Sequence, residues 1–292
     1  MSSAMPVVTQ RSSAAAAPTL SRAARPTLRL IHHMARSGGT LISKCLGCMS
    51  GVLLLSEIHP LGTHHFNPLL QAQRWYGLLS SQDLSELKAR GRVGFADAIE
   101  LIRRRAEECG QRLLIRDWSH LDFTGVPFVA RPAQRLLTAE ALAARYELRQ
   151  VCTVRHPLDQ WLSLSQLAVV QGRLTLESYL AGYRRFAEVA TAIGFYRYED
   201  LTRDPNSVMK ALCGDLQLRF DRTFAARWRD YTFVTGDVAG SRAGNEIRPV
   251  PRRPVTPELL TALAVNEDYR ASLQLLGYQH AETVASALFF PQ

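Results

Sequence analysis

The sequence predicts an α/β fold, a three-layer sandwich with a central, mostly parallel five-stranded sheet. Three observations carry that expectation. Five short apolar runs of strand character recur along the chain. Between them lie longer stretches whose apolar residues fall three and four apart, the spacing of a helix buried on one face. The 292 residues, 47% apolar and 21% charged, suffice to bury a sizeable core without disulfides or a structural metal. Strands alternating with helices imply a parallel sheet, and ligands of such sheets sit beyond the carboxyl ends of the strands.

The elements follow in order. Residues 1–27 are rich in Ser, Ala, Arg and Pro, with few large apolar side chains. They cannot offset the entropy of ordering and are expected to be a disordered tail. Their Arg/Ala/Ser bias without acid also resembles an organelle transit peptide. A single folded domain is expected over 28–292. Leu28–Met34 reads as the first strand, followed by the polar, glycine-bearing turn Ala35–Thr40 and a helix over Leu41–Cys48. Val52–Leu55 is the second strand, ending at Ser56 and Glu57. Residues 67–79 and 83–108 have helical periodicity, and Arg112–Trp118 is the third strand. A helix over 133–145 precedes the fourth strand, Leu148–Val154. Pro157 then opens a helix reaching Val170, proline being favoured in a first turn. A helix over 175–191 and a fifth strand, Ile193–Tyr198, follow. Helices near 205–215, 221–228 and 256–276 complete the chain.

Charge and cysteine content narrow the function classes. The net charge is +9. Residues 1–29 hold Arg11, Arg22, Arg25 and Arg29 and no acid, and residues 242–253 hold four Arg against Glu246. The remainder is nearly balanced. Nucleic-acid binding would need a denser basic face with interleaved aromatics, whereas a few local Arg sites suit a small polyanion. The five cysteines, Cys45, Cys48, Cys109, Cys152 and Cys213, are odd in number and scattered, so no disulfide framework is expected. A reducing cytoplasm is the expected compartment. Cys45 and Cys48 lack a second pair and read as small helix side chains. No apolar run reaches the length of a membrane helix.

Four groups carry chemistry. Arg36-Ser37-Gly38-Gly39-Thr40 joins the first strand to the first helix. Its glycines allow a tight turn, and unpaired N–H groups at a helix start attract anions. With the Arg36 cation and two hydroxyls this is a phosphate-type cradle, although its plain alternative is an ordinary strand–helix turn. It lacks the G-x-x-x-x-G-K-[ST] pattern of nucleoside-triphosphate loops, and Lys44, a turn later, reads as a solvated helix residue. The second group is Val154-Arg155-His156-Pro157 with Trp161 and Ser163, where Arg155 falls at a strand end and Ser163 eight residues on. An Arg and a hydroxyl meeting one phosphate would join charge to hydrogen bonds. The third is Tyr198-Glu199-Asp200-Leu201 with Asp204-Pro205, and the fourth the loop Gly236–Arg242 with Arg248, Arg252 and Arg253. Three of the groups follow strand ends directly and so fit one crevice.

In this order and spacing the four groups resemble the PAPS-dependent sulfotransferase family over residues 28–253. The resemblance implies transfer of a sulfuryl group from 3′-phosphoadenylyl sulfate (PAPS) to a hydroxyl or amine of a small-molecule, lipid or carbohydrate acceptor, without a metal. It implies that Arg36, Ser37, Gly38, Gly39 and Thr40 form the 5′-phosphosulfate loop, with Arg36 neutralising the leaving oxygen. It further implies that Arg155 and Ser163 grip the 3′-phosphate, that Tyr198 lies near the adenine, and that Arg242 belongs to a variable 3′-phosphate loop. Two positions depart from the pattern. Gly39 replaces the first Thr of R/K-S-G-T-T, and Leu41 stands where cytosolic members often place an adenine-stacking Trp.

In-line sulfuryl transfer needs a base for the acceptor proton. Glu57, ending the second strand, resembles the carboxylate base of the tyrosylprotein-modifying branch. His59 follows closely, and imidazole suits base work near neutral pH. His120, after the third strand, stands where cytosolic members carry a catalytic His. Each could instead be a polar strand-end residue that bonds backbone, leaving catalysis to positioning and cations. His32 and His33 read as packed. His59, His64 and His65 fit no zinc spacing. Residues His59–Ser81, with Trp75 and Tyr76, and residues 118–131 are expected to wall the acceptor pocket. Two other readings stay open: a kinase-like phosphate-loop transferase, which would need a Mg²⁺-binding Ser/Thr after a loop Lys, and a non-catalytic descendant that binds a nucleotide or a partner.

Overall fold

The computed structural model describes residues 25–91, 93–236 and 246–281. It opens with β1 (Thr27–His33), α1 (Gly39–Gly47) and β2 (Val52–Ile58). Three helices follow: α2 (Pro68–Tyr76), α3 (Ser81–Ala89) and α4 (Phe95–Glu108). Then come β3 (Arg112–Asp117), α5 (His120–Phe123), α6 (Leu137–Ala143) and β4 (Glu147–Val154). Next are α7 (Pro157–Leu164), α8 (Leu176–Ile193), β5 (Phe195–Arg197) and α9 (Tyr198–Arg203). The described chain ends with α10 (Pro205–Asp215), α11 (Phe224–Arg227), α12 (Pro257–Val265) and α13 (Glu267–Leu276).

The five strands form one sheet in the order β2-β3-β1-β4-β5, every pair parallel. Side chains alternate across it, since neighbours on a strand point to opposite faces. Leu28, Leu30, Leu53, Leu55, Leu113, Ile115, Cys152 and Val154 face one core, packed with residues of α4, α8 and α13. Ile31, Val52, Leu54, Leu114 and Val151 face the other, covered by α1, α9, α10 and α11. This is the expected three-layer arrangement. The connection from β3 to β4 crosses to the other side of β1, so the loops after β1 and β4 open a crevice at the point where strand order reverses.

Boundaries differ from expectation for identifiable reasons. The sheet begins at Thr27, one residue earlier than expected, while residues 1–24 of the expected tail lie outside the described residues. The periodic stretch 83–108 is two helices, parted at Gly91 (φ 104°) and restarted with Gly94 as N-cap of α4. The stretch 256–276 is also split, because the Asn266 side chain accepts from Tyr269 N and starts α13 afresh. The expected helices over 133–145, 157–170 and 221–228 shorten to α6, α7 and α11. The fifth strand stops at Arg197, and Tyr198 opens α9 instead. Lys44 is a correction: it is 8% exposed, not solvated, because α1 is buried on nearly every side.

Candidate functional site

The first loop leaves β1 and turns twice through left-handed backbone, at Arg36 (φ 66°) and Gly38 (φ 93°). Glycine is needed at 38, the N-cap of α1: a Cβ there would stand 2.7 Å from Tyr198 Cε2. The strained Arg36 is held at both ends. Its Nε donates to Ser163 Oγ at 2.9 Å, and its carbonyl accepts from Arg155 Nη1 at 3.3 Å. Arg155 in turn lies 5.0 Å over the ring of Tyr198. The structure thus brings Arg36, Gly38, Arg155, Ser163 and Tyr198 to one place, at the start of α1. Ser37 Oγ, fully buried, has no hydrogen-bond partner among the described residues.

The rest of the third group is structural. Glu199 accepts from His156 N at 2.9 Å and from Tyr278 OH at 2.8 Å, and burial raises its pKa. Asp204 caps α10 through Ser207 N, ahead of Pro205 in the first turn. In the fourth group Arg252 forms a two-pronged ion pair with Asp159 at 2.7 and 2.9 Å, and Arg253 donates to Leu162 O. Thr235 bonds Ser56 through both its hydroxyl and its N–H. Arg242 and most of its loop lie outside the described residues.

The register of β2 against β3 shifts between Leu55 and Ile58. Such an irregularity re-aims a side chain, and Glu57, at φ 55°, faces the crevice 13% exposed. Opposite it stands Arg116 of β3, which belongs to none of the four sequence groups. Its guanidinium donates to His33 Nε2 (2.9 Å), Ser56 Oγ (3.1 Å), Thr235 O (3.0 Å), Glu57 Oε1 (3.3 Å) and Thr40 Oγ1 (3.4 Å). A charge inside the apolar run LLIRDW was the available signal, because a buried cation demands partners. His33, buried beside Arg116, has its pKa well below the ordinary value and is neutral.

The two histidine candidates are placed differently. His59 is fully buried, with Nε2 bonded to Asp122 Oδ1 at 3.1 Å and Nδ1 accepting from Leu61 N at 3.1 Å. It ties the end of β2 to α5 and does not line the crevice. His120 does line it, but its Nε2 accepts from Trp118 Nε1 at 2.7 Å. Burial, only partly opposed by Glu57, pushes its pKa down to about 4. His32 is packed as expected, its Nδ1 donating to Asp117 Oδ2 (2.8 Å) and its Nε2 bonded to Gln150 Oε1 (3.1 Å). His64 and His65 pack on Phe128. Among the described residues no group of three or more His, Cys, Asp or Glu is arranged to hold a metal ion. Cys48 donates to Cys45 O, and burial raises its thiol to about 11.

These parts share one cavity of about 460 Å³. Arg36, Gly38, Gly39, Thr40, Leu41, Glu57, Arg116, Arg155, Ser163 and Tyr198 line its polar half. Phe66, Trp118, Thr124, Val126 and Pro127 line it too, so the expected acceptor wall holds in part. Trp75 and Tyr76 are corrections. Trp75 stacks on Phe233, and Tyr76 OH donates to Leu54 O and meets Tyr231 OH, both away from the cavity.

No family model and no curated protein matches the chain. Solved structures do. The sulfotransferase domain of the Synechococcus PCC 7002 olefin synthase superposes with a TM-score of 0.65 at 17% identity, covering 88% of this chain and 97% of that one. The chain has a sulfotransferase-like fold. The sulfotransferase domain of the curacin biosynthetic pathway is similar too, with TM-score 0.59, 16% identity, and 88% and 99% covered. In the sulfotransferase-like fold seen here, Arg36, Gly38, Gly39, Thr40, Arg155 and Ser163 line the crevice beyond β1 and β4, whereas Ser37, expected in the same loop site, is fully buried and does not line it. No described helix is long and apolar enough to cross a membrane.

Proposed function

We propose that the protein is a sulfotransferase that moves a sulfuryl group from PAPS to the hydroxyl of a small-molecule acceptor. What carries this reading is the meeting of Arg36, Arg155 and Ser163 around the start of α1, in the same cavity as Glu57. Two guanidinium groups and a helix N-terminus suit a ligand with phosphate at both ends. The two solved structures compared above are sulfotransferase domains, which supports the same reading.

The donor supplies an activated sulfuryl group on a phosphate leaving group. Residues Arg36–Thr40 hold its 5′ end, Arg155 and Ser163 its 3′-phosphate, and Tyr198 and Leu41 lie alongside the adenine. Glu57 takes the acceptor's hydroxyl proton as the new S–O bond forms and the old one breaks, releasing 3′,5′-ADP. Arg116, bonded to Glu57 and Thr40, fixes the base relative to the loop. Arg36 offsets the charge left on the departing oxygen. Glu57 is preferred over His59, whose ring nitrogens are both engaged, and over His120, whose Nε2 is occupied and whose basicity is low.

The test is isothermal titration with 3′,5′-ADP, beside ATP with Mg²⁺ and the Arg155→Ala variant. Micromolar binding of 3′,5′-ADP, weakened roughly tenfold to a hundredfold in the variant, supports the donor site. Binding of ATP alone overturns it in favour of a kinase-like transferase, and binding of neither favours a non-catalytic descendant.

A further inference from the structure

The lining of the cavity falls into two chemically different parts. One is polar, with Arg36, Glu57, Arg116 and Arg155. The other is walled by Val126, Pro127, Leu164, Leu167, Val170 and Leu174, from the segment after α5 and from the end of α7 onward. Within this wall Val170 and Leu164 are buried, 2% and 4% exposed. The apolar surface does not stop inside. Val169 and Val250 line the same cavity yet are 45% and 60% exposed, two of only five large apolar side chains so exposed among the described residues. The apolar lining of the cavity that also holds Glu57 therefore reaches the protein surface.

We infer that the acceptor is an alcohol carried on an extended apolar chain, and that a sugar is excluded. This rests on the sulfotransferase reading of the polar half. A ring with several hydroxyls would lose water along this wall and gain few partners, since the six wall side chains offer neither donors nor acceptors and the polar lining beside them is confined to side chains such as Thr124, Gln160 and Arg253. An aliphatic chain loses nothing there and gains the transfer of each methylene from water. Its hydroxyl end reaches Glu57, and its far end leaves past Val169 and Val250.

The experiment titrates primary alkanols from 1-butanol to 1-octanol, and separately glucose, into the protein saturated with 3′,5′-ADP. Sulfation of the same compounds with PAPS is followed by mass spectrometry. Alkanol affinity rises with length by up to roughly fourfold per methylene, KM for sulfation falls in step, and glucose neither binds nor reacts. Leu167→Asp flattens the length dependence. Val169→Asp, at a half-exposed position and with Tm as a folding control, weakens only the longer alkanols. An affinity that does not change with chain length, or preferred sulfation of glucose, overturns the proposal while 3′,5′-ADP still binds. Failure of 3′,5′-ADP to bind at all is a different result: it removes the donor site, and this inference with it.

Discussion

The His33 ring occupies the space that a side chain on residue 39 would need. A Cβ built on Gly39 would overlap the imidazole, whose Nε2 is held in place by Arg116 Nε at 2.9 Å. The glycine that departs from the R/K-S-G-T-T pattern is thus matched by a bulky residue on β1. Gly39→Thr is expected to overpack the start of α1 and cost about 1–3 kcal/mol. His33→Ala alone also destabilises, because it strips Arg116 of an acceptor. The double variant should lose clearly less than the sum of the two. A double-mutant cycle from denaturant melts checks this, and strict additivity would sink the pairing.

The Arg36–Ser163 bond gives the anion site a graded response to mutation. Arg155→Ala removes a guanidinium, and a hydrogen bond to a charged group is worth about 1.5–3 kcal/mol. The expected loss of 3′,5′-ADP affinity is therefore roughly tenfold to a hundredfold. Ser163→Ala removes one hydrogen bond to the same phosphate but no charge, and should cost roughly tenfold, the lower end of that range. Calorimetry on both variants, with Tm as a folding control, decides the order. Equal losses would mean that Arg155 acts only through its contacts with Arg36 O and Tyr198.

Glu57 separates binding from chemistry. Glu57→Gln keeps the shape and keeps an acceptor for Arg116, but cannot take a proton. Its kcat is expected to fall about 10²–10⁴-fold, while 3′,5′-ADP affinity stays within about twofold, since Glu57 is not a ligand of the anion site. Single-turnover sulfation beside calorimetry tests both halves. A kcat within a few-fold of wild type would leave catalysis to positioning and cations alone.

Much of this site was legible in the sequence, and the limits have physical causes. Arg36–Thr40, Arg155 and Tyr198 follow apolar runs directly, and a parallel sheet gathers such positions at one edge. Periodicity runs straight across Gly91, Gly94 and Asn266, so the helix breaks there needed the cap geometry to be seen. Arg116 carries no motif. Only the fold reveals that its strand is buried and that His33, Ser56 and Glu57 converge on it. Glu57, His59 and His120 all stand near strand ends, yet a two-residue step separates a side chain in the cavity from one locked to Asp122. Trp75 and Tyr76 sit in the segment expected to wall the acceptor. Their helix turns them toward Tyr231 and Phe233, a contact 155 or more residues distant in sequence that no local pattern encodes.

Acid should destabilise the fold through its buried histidines. Burial pushes His120 down to about 4, and burial together with Arg252 does the same to His156, against an ordinary value of 6.5. Below pH 6.5 the unfolded chain therefore takes up protons that the folded chain refuses until about pH 4. Stability is complete above 6.5 and declines through that window as pH falls. Across pH 7 to pH 5 the Tm is expected to drop by about 5–10 °C. His120→Gln, which still offers Trp118 Nε1 an acceptor, should remove roughly half of the share due to this pair. Thermal melts of both proteins in a series of buffers measure it, and a variant curve parallel to wild type would show that His120 is not among the groups that titrate.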